Sequence, residues 1–167
     1  AVLAAWQFLQ KRSAEKTSVA VFNPDLESDG WESTHTVVFI LHPNMPFLID
    51  SLRIAINQRE IGTHSIQHSI LQVERDKDGK LKKLHSTKKI ASRSAYEAFI
   101  VLEIDRHSHP GDLRDLEDTL QDVLHEVRIA VSDFPVVTEK VTEIIGELDS
   151  TTAGINEEQK AEARAFL

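Results

Sequence analysis

Apolar positions along this chain follow two different periods, and the switch between them marks the elements. Ser18–Phe22 reads as a short strand closed by Asn23-Pro24. Residues 36–41 (Thr-Val-Val-Phe-Ile-Leu) are apolar without a break, as in a central strand covered on both faces. The stretch between them is acidic and polar and contains Gly30, which predicts a loop with Trp31 tucked onto the core. His42-Pro43-Asn44-Met45-Pro46 ends the central strand, and the period then becomes helical. Over residues 47–59, Leu48, Leu52, Ala55 and Ile56 form one stripe, with Pro46 expected at the first turn.

Gly62 breaks that helix and admits a strand over Thr63–Arg75. Its apolar parity changes between Ile70 and Leu71, which predicts a bulge. Asp76-Lys77-Asp78-Gly79 carries a hairpin signal. A return strand starts at 80–84, is interrupted by a polar loop and resumes over 95–105, with Ala98, Ile100, Leu102 and Ile104 inward. Pro110-Gly111-Asp112 opens the longest helix, marked by Leu113, Leu116, Leu120, Val123 and Val127. A third helix is expected at 136–148. Residues 1–12 also read as helix, with Leu3, Trp6 and Leu9 on one stripe, and Asn156 to Gln159 form a capping-box start. A chain that begins and ends inside helices is expected to be part of a longer polypeptide. The predicted organisation is an N-terminal helix (1–16), an α+β domain (17–133) and a helical linker to a next module (134–167).

The element order predicts a two-layer α+β sandwich, with a four-stranded antiparallel sheet and helices on one face. Its middle, β-α-β-β-α, is a ferredoxin-like frame. The frame's fourth strand normally comes last and pairs antiparallel with the first; here the strand at Ser18–Phe22 is expected to fill that slot, a circularly permuted order.

Composition narrows the chemistry. A formal charge of -8 argues against a general nucleic-acid binder. The one basic cluster, Lys80, Lys82, Lys83, Lys88, Lys89 and Arg93, reads as a solvated hairpin and loop. No run of apolar residues is long enough for a membrane span, and the apolar N-terminus lacks the basic start of a signal peptide. Cysteine is absent, so disulfides, thiolate metal sites and a cysteine nucleophile are excluded; a cytoplasmic location fits. The chain lacks G-x-S-x-G, G-x-G-x-x-G and the phosphate-cradling G-x-x-x-x-G-K-[ST].

Histidines provide little more. His64 and His68, on a strand, lie about 13 Å apart, too far to share one zinc. His107 and His109 lack a third ligand fixed beside them, and His42 and His68 read as core-edge residues. Glu103 and Asp105 share a face and are expected in cross-strand ion pairs. No catalytic, cofactor-binding or metal residue is assigned. A hydrolase using the histidines and acids after Arg106 is a lesser alternative.

Two stretches are more specific. Residues 35–52, with Met45-Pro46-Phe47-Leu48-Ile49-Asp50-Ser51-Leu52 at their end, resemble the "MPFLVDSV" segment of the large NAD-specific glutamate dehydrogenases. Residues 97–106, ending in Glu103-Ile104-Asp105-Arg106, resemble that family's "ES-x-x-x-x-EIDR" strand, with Ala98 in place of the serine. Val21-Phe22-Asn23-Pro24 and Asp29-Gly30-Trp31-Glu32-Ser33 are similar to the approach to the first strand. The resemblance implies an ACT-like regulatory or assembly domain at the front of a long cytoplasmic enzyme that converts L-glutamate to 2-oxoglutarate with NAD. No cofactor is implied within this segment; NAD belongs to the parent enzyme. Implied partners are other domains of the same chain and further copies in a homo-oligomer, with neither nucleic acid nor membrane. ACT domains hold a small amino acid at a D-x-P-G turn on a helix N-terminus. The matching residues are Asn44, Met45, Pro46 and Phe47; Gly62 resembles the second ACT glycine but is expected first of all to serve the helix-ending turn. Phe47 replaces the turn glycine and is expected in the ligand's place. A stand-alone amino-acid sensor is the alternative.

Overall fold

The computed structural model describes residues 1–10, 12, 17–85, 95–150 and 157–166. Two compact units result, 1–127 and 128–167. In the first, helix α1 (Val2–Leu9) precedes β1 (Ser18–Phe22), a short helix α2 (Leu26–Asp29), β2 (Thr36–Pro43), α3 (Leu48–Gln58), β3 (Thr63–Arg75), β4 (Leu81–His85) and β5 (Ala95–Ile104). Helix α4 runs from Pro110 to Ser150. The second unit contains its later turns and α5 (Glu157–Phe166).

The strands form one antiparallel sheet in the order β1-β2-β5-β3-β4. The early strand β1 lies beside β2, in the slot of the frame's missing fourth strand, so the permuted ferredoxin-like arrangement is present. The sheet has five strands rather than four. The segments at 81–85 and 95–104 flank β3 from opposite sides and are not one interrupted strand; Gln72 pairs with both His85 and Tyr96. A thirteen-residue β3 has two edges to offer, and composition alone does not say which edge a returning strand takes.

Cross-strand register sorts the side chains. Val38, Ile40, Ala98, Ile100, Leu102 and Ile104 share one face and are essentially inaccessible. Leu48, Leu52 and Ile56 of α3 and Leu116, Leu120 and Leu124 of α4 are equally buried and close this face. The opposite face carries Phe22, Phe39 and Phe99, and Phe8 of α1 joins them at ring-centroid distances of 5.7 Å (Phe39) and 6.4 Å (Phe99). Trp31 meets Phe22 edge-on, as expected. On α1 the buried face is Phe8 and Leu9; Leu3 and Trp6 point outward instead of forming the inward stripe.

The parity change at Ile70-Leu71 is not a bulge. Ser69, Ile70 and Leu71 pair continuously with Phe99, Ala98 and Glu97. Cover changes instead: Ile70 is about half exposed on the helix side of β3, whereas Val73 is buried on the other face. Register shifts fall at Thr63/Ser65 and Glu74/Arg75. His68 is exposed rather than core-edge, for the same reason as Ile70; His42 is buried, its Nδ1 2.8 Å from the Pro43 carbonyl oxygen.

Pro46 precedes α3 rather than joining its first turn, because Phe47 adopts a left-handed conformation (φ 68°, ψ 0°) just ahead of Leu48. The separate helix expected at 136–148 is instead the continuation of α4 through Pro135. Proline removes one backbone hydrogen bond and disfavours a helix interior, yet the flanking turns carry the helix on. Asp25, whose carboxylate accepts from the Glu27 and Ser28 amides, and left-handed Gly30 bracket α2 within the predicted loop.

Candidate functional site

Three polar centres lie in the first unit. The first is the turn from β2 into α3. The Asn44 amide donates to the Tyr96 carbonyl oxygen (2.9 Å), fixing the strand end. Phe47 has the dihedral angles of the third residue of a type II turn, a place usually left to glycine. Phe47 is 65% exposed and offers no capping side chain, so the first amides of α3 have no side-chain cap from it, with Asp50 in the first helical turn as the local charge. Asn44 and Pro46 are exposed and Met45 is half-buried.

Gly62 is not brought to this turn. Thr36 and Thr63 both pair with Ile104, so Gly62 sits beside the start of β2, at the far end of α3 from Asn44. The left-handed residue that ends α3 is Glu60 (φ 59°), and Gly62 has a different task. Its amide donates to the Asp105 carboxylate (2.7 Å), and its carbonyl accepts from the Asp105 amide (2.9 Å). A Cβ at Gly62 would lie 2.7 Å from Asp105 Oδ2.

Asp105 is also 2.8 Å from Nε2 of His64, whose ring stacks on that of His35 with centroids 4.1 Å apart. The Gly62 amide first, then His64, hold the Asp105 carboxyl below its ordinary pKa. His107 contributes backbone instead: its amide donates to Thr36 Oγ1 and its carbonyl accepts from Asn23 Nδ2. His109 Nδ1 lies 3.8 Å from Asp112. Among the described residues, no three acids or histidines converge as a metal-ligand set.

The third centre is buried and unanticipated. Glu97 is 1% exposed and faces Arg12 (5%) and Arg75 (9%). Arg12 Nε donates to Oε1 (2.9 Å); Arg75 grips both oxygens, Nε on Oε1 and Nη2 on Oε2, each at 2.8 Å. Burial pushes the Glu97 carboxyl up, but the Arg75 hydrogen bonds and the two guanidinium charges outweigh it, and the net displacement is downward. Arg75 further donates to the carbonyls of Gly79 and Leu9. The Arg12 amide donates to the Gly79 carbonyl and the Leu81 amide to that of Gln10. The cluster therefore bolts the end of α1 to the β3–β4 hairpin.

A cleft of about 210 Å³ lies beside this joint. Both oxygens of Glu97 and four of the five Arg75 donors are already engaged within the protein, which marks a structural joint rather than a reactive carboxylate. The signal for it in the sequence is an acid, Glu97, at the head of the row that continues as Phe99 and Val101 and ends in Glu103. Of the basic cluster read from the sequence, Lys82 pairs with Asp76 (3.1 Å), and Lys88, Lys89 and Arg93 lie outside the described residues.

A family model described as the glutamate dehydrogenase ACT1 domain matches residues 1–120. The chain is similar to the NAD-specific glutamate dehydrogenase of Halomonas elongata, with 40% identity over 168 aligned residues, all of this chain and 10% of that protein. It is likewise similar to the NAD-specific glutamate dehydrogenase of Pseudomonas aeruginosa, with 38% identity over 165 residues, 99% of this chain and 10% of that protein. The chain thus spans about a tenth of the length of the curated relatives it matches.

Proposed function

Since the chain belongs to the glutamate dehydrogenase ACT1 domain family, we propose that it is the non-catalytic ACT-like regulatory and assembly module of an NAD-dependent glutamate dehydrogenase. The parent reaction is oxidation of L-glutamate with NAD and water to 2-oxoglutarate, ammonia and NADH, in the cytoplasm. The observation that carries this reading is identity of 40% along the whole chain to a protein of that printed activity. The domain's partners are the other domains of its own chain and further copies of the enzyme.

Within this reading, the Asn44-Met45-Pro46-Phe47 turn is the place for a small amino acid, whose carboxylate would meet the uncapped amides opening α3. Gly62 of the same chain takes no part in it. A thermal-shift panel of amino acids tests the turn, because a ligand at a hundred times its Kd adds about 2.7 kcal/mol. The function itself is tested by deleting residues 1–167 from the full-length enzyme. Glutamate-dependent NADH formation, its response to amino acids, or the enzyme's mass should change; if all three stay at wild-type values, the regulatory and assembly role is lost.

A further inference from the structure

Beyond Val127, α4 keeps an apolar seam that is exposed at four positions and half-buried at Val141 and Leu148. Ala130, Phe134, Val137, Val141, Ile144 and Leu148 follow at alternating spacings of four and three. Phe134 is 69%, Val137 57% and Ile144 40% exposed. One four and one three make a seven-residue repeat, which keeps a seam turned toward one partner helix along its length. Pro135 lies off the seam, so its missing N–H does not interrupt the contact row.

Charges beside the seam select the partner. Asp133, Lys140 and Glu147 recur every seven residues with alternating sign, on the flank of the Phe134 row. We propose that this stretch of α4 pairs antiparallel with the same stretch of a second copy of the chain, about a two-fold axis between residues 135 and 136. Phe134 then packs beside the partner's Val137, and Ala130 beside the partner's Val141. Asp133 meets the partner's Lys140, and the symmetry makes that ion pair twice, offset by only about 3 Å along the axis at 1.5 Å rise per residue. A parallel pair would instead set Lys140 against the partner's Ile145 and Asp133 against the partner's Thr138, with no ion pair. An antiparallel pair shifted by one heptad would set Lys140 against Lys140 and Asp133 against Glu147. Lys140 also holds Glu143 at 2.7 Å within its own helix, but that pair is well exposed and yields readily to a better one.

The inference stands on this helix alone and does not depend on the dehydrogenase reading. It is tested with the 167-residue chain by sedimentation equilibrium from about 1 µM to about 1 mM, the range in which a weak helical pair declares itself. A reversible dimer is expected. Val137→Glu should leave a monomer with unchanged helical circular dichroism. Asp133→Lys and Lys140→Asp should each raise the dimer Kd about tenfold, since each turns two attractive pairs into two repulsive ones. The double charge swap should restore wild-type affinity. A chain monomeric throughout the range, a dimer indifferent to Val137→Glu, or a double swap that does not rescue would each overturn the proposal.

Discussion

Replacing Glu97 by Gln is the most demanding perturbation of this fold, because it changes one atom and the shape not at all. Glu97 is 1% exposed and is the shared counter-charge of two guanidinium groups that are themselves 5% and 9% exposed. Glutamine keeps one acceptor oxygen, but its amide nitrogen presents hydrogens to Arg75 Nη2, and two buried cations lose their common anion. Removing one partner of a buried ion pair costs about 3–5 kcal/mol, most of it the cost of the charge left behind. Against a domain stability of about 5–15 kcal/mol, that is about a fifth of the total or more. At about 2–4 °C per kcal/mol for a chain of this size, the melting temperature should fall by roughly 6–20 °C. Urea unfolding followed by circular dichroism should show a lower midpoint and an unchanged slope. The triple variant Arg12→Met, Glu97→Met and Arg75→Met should be less damaged than Glu97→Gln, because it leaves no charge unpaired. A Glu97→Gln protein within about 1 kcal/mol of wild type would refute the argument, since no cation would then depend on this carboxylate.

The same carboxyl predicts a pH limit. Its folded pKa is depressed, so its stabilisation is fully present above the unfolded value of about 4.3 and is lost as pH falls through the folded one. The denaturant midpoint of wild type should therefore drop on acidification below about pH 4.3, while Glu97→Gln, titrated in parallel, should lack this component. Phe47→Gly should raise stability by about 0.5–1 kcal/mol in urea melts, because φ 68° costs a side-chain-bearing residue about 1–2 kcal/mol while little ring area is buried. A loss there would mean that the exposed ring makes contacts worth more than the strain. Gly62→Ala should cost about 1–2 kcal/mol: the new Cβ displaces the Asp105 carboxylate from the Gly62 amide, yet Asp105 is exposed and can swing aside. Chemical shifts of the His64 ring should move with it; an unmoved His64 would mean that the carboxylate had not been displaced.

Much of this protein was legible from local pattern. The unbroken β-branched and apolar run at 36–41 determined a central strand, because only a strand covered on both faces tolerates it. Three-and-four spacings determined α3 and α4, and the Asp-Gly turn determined the hairpin between β3 and β4, since these features depend on neighbours a few residues apart. The family was legible as well, in the residues around Met45 and Glu103. Tertiary structure decided what local period cannot carry. It placed β4 and β5 on opposite edges of β3, because both edges of that strand had unpaired backbone. It took α4 through Pro135, because helical turns on either side outweigh one missing hydrogen bond. It separated Gly62 from the Asn44–Phe47 turn by the length of α3, and gave Gly62 to Asp105. It also made a buried joint of Glu97, whose two arginines lie 85 and 22 residues away in sequence. An acid at the head of such a row announces only that a partner must exist; the fold alone says which cations meet it.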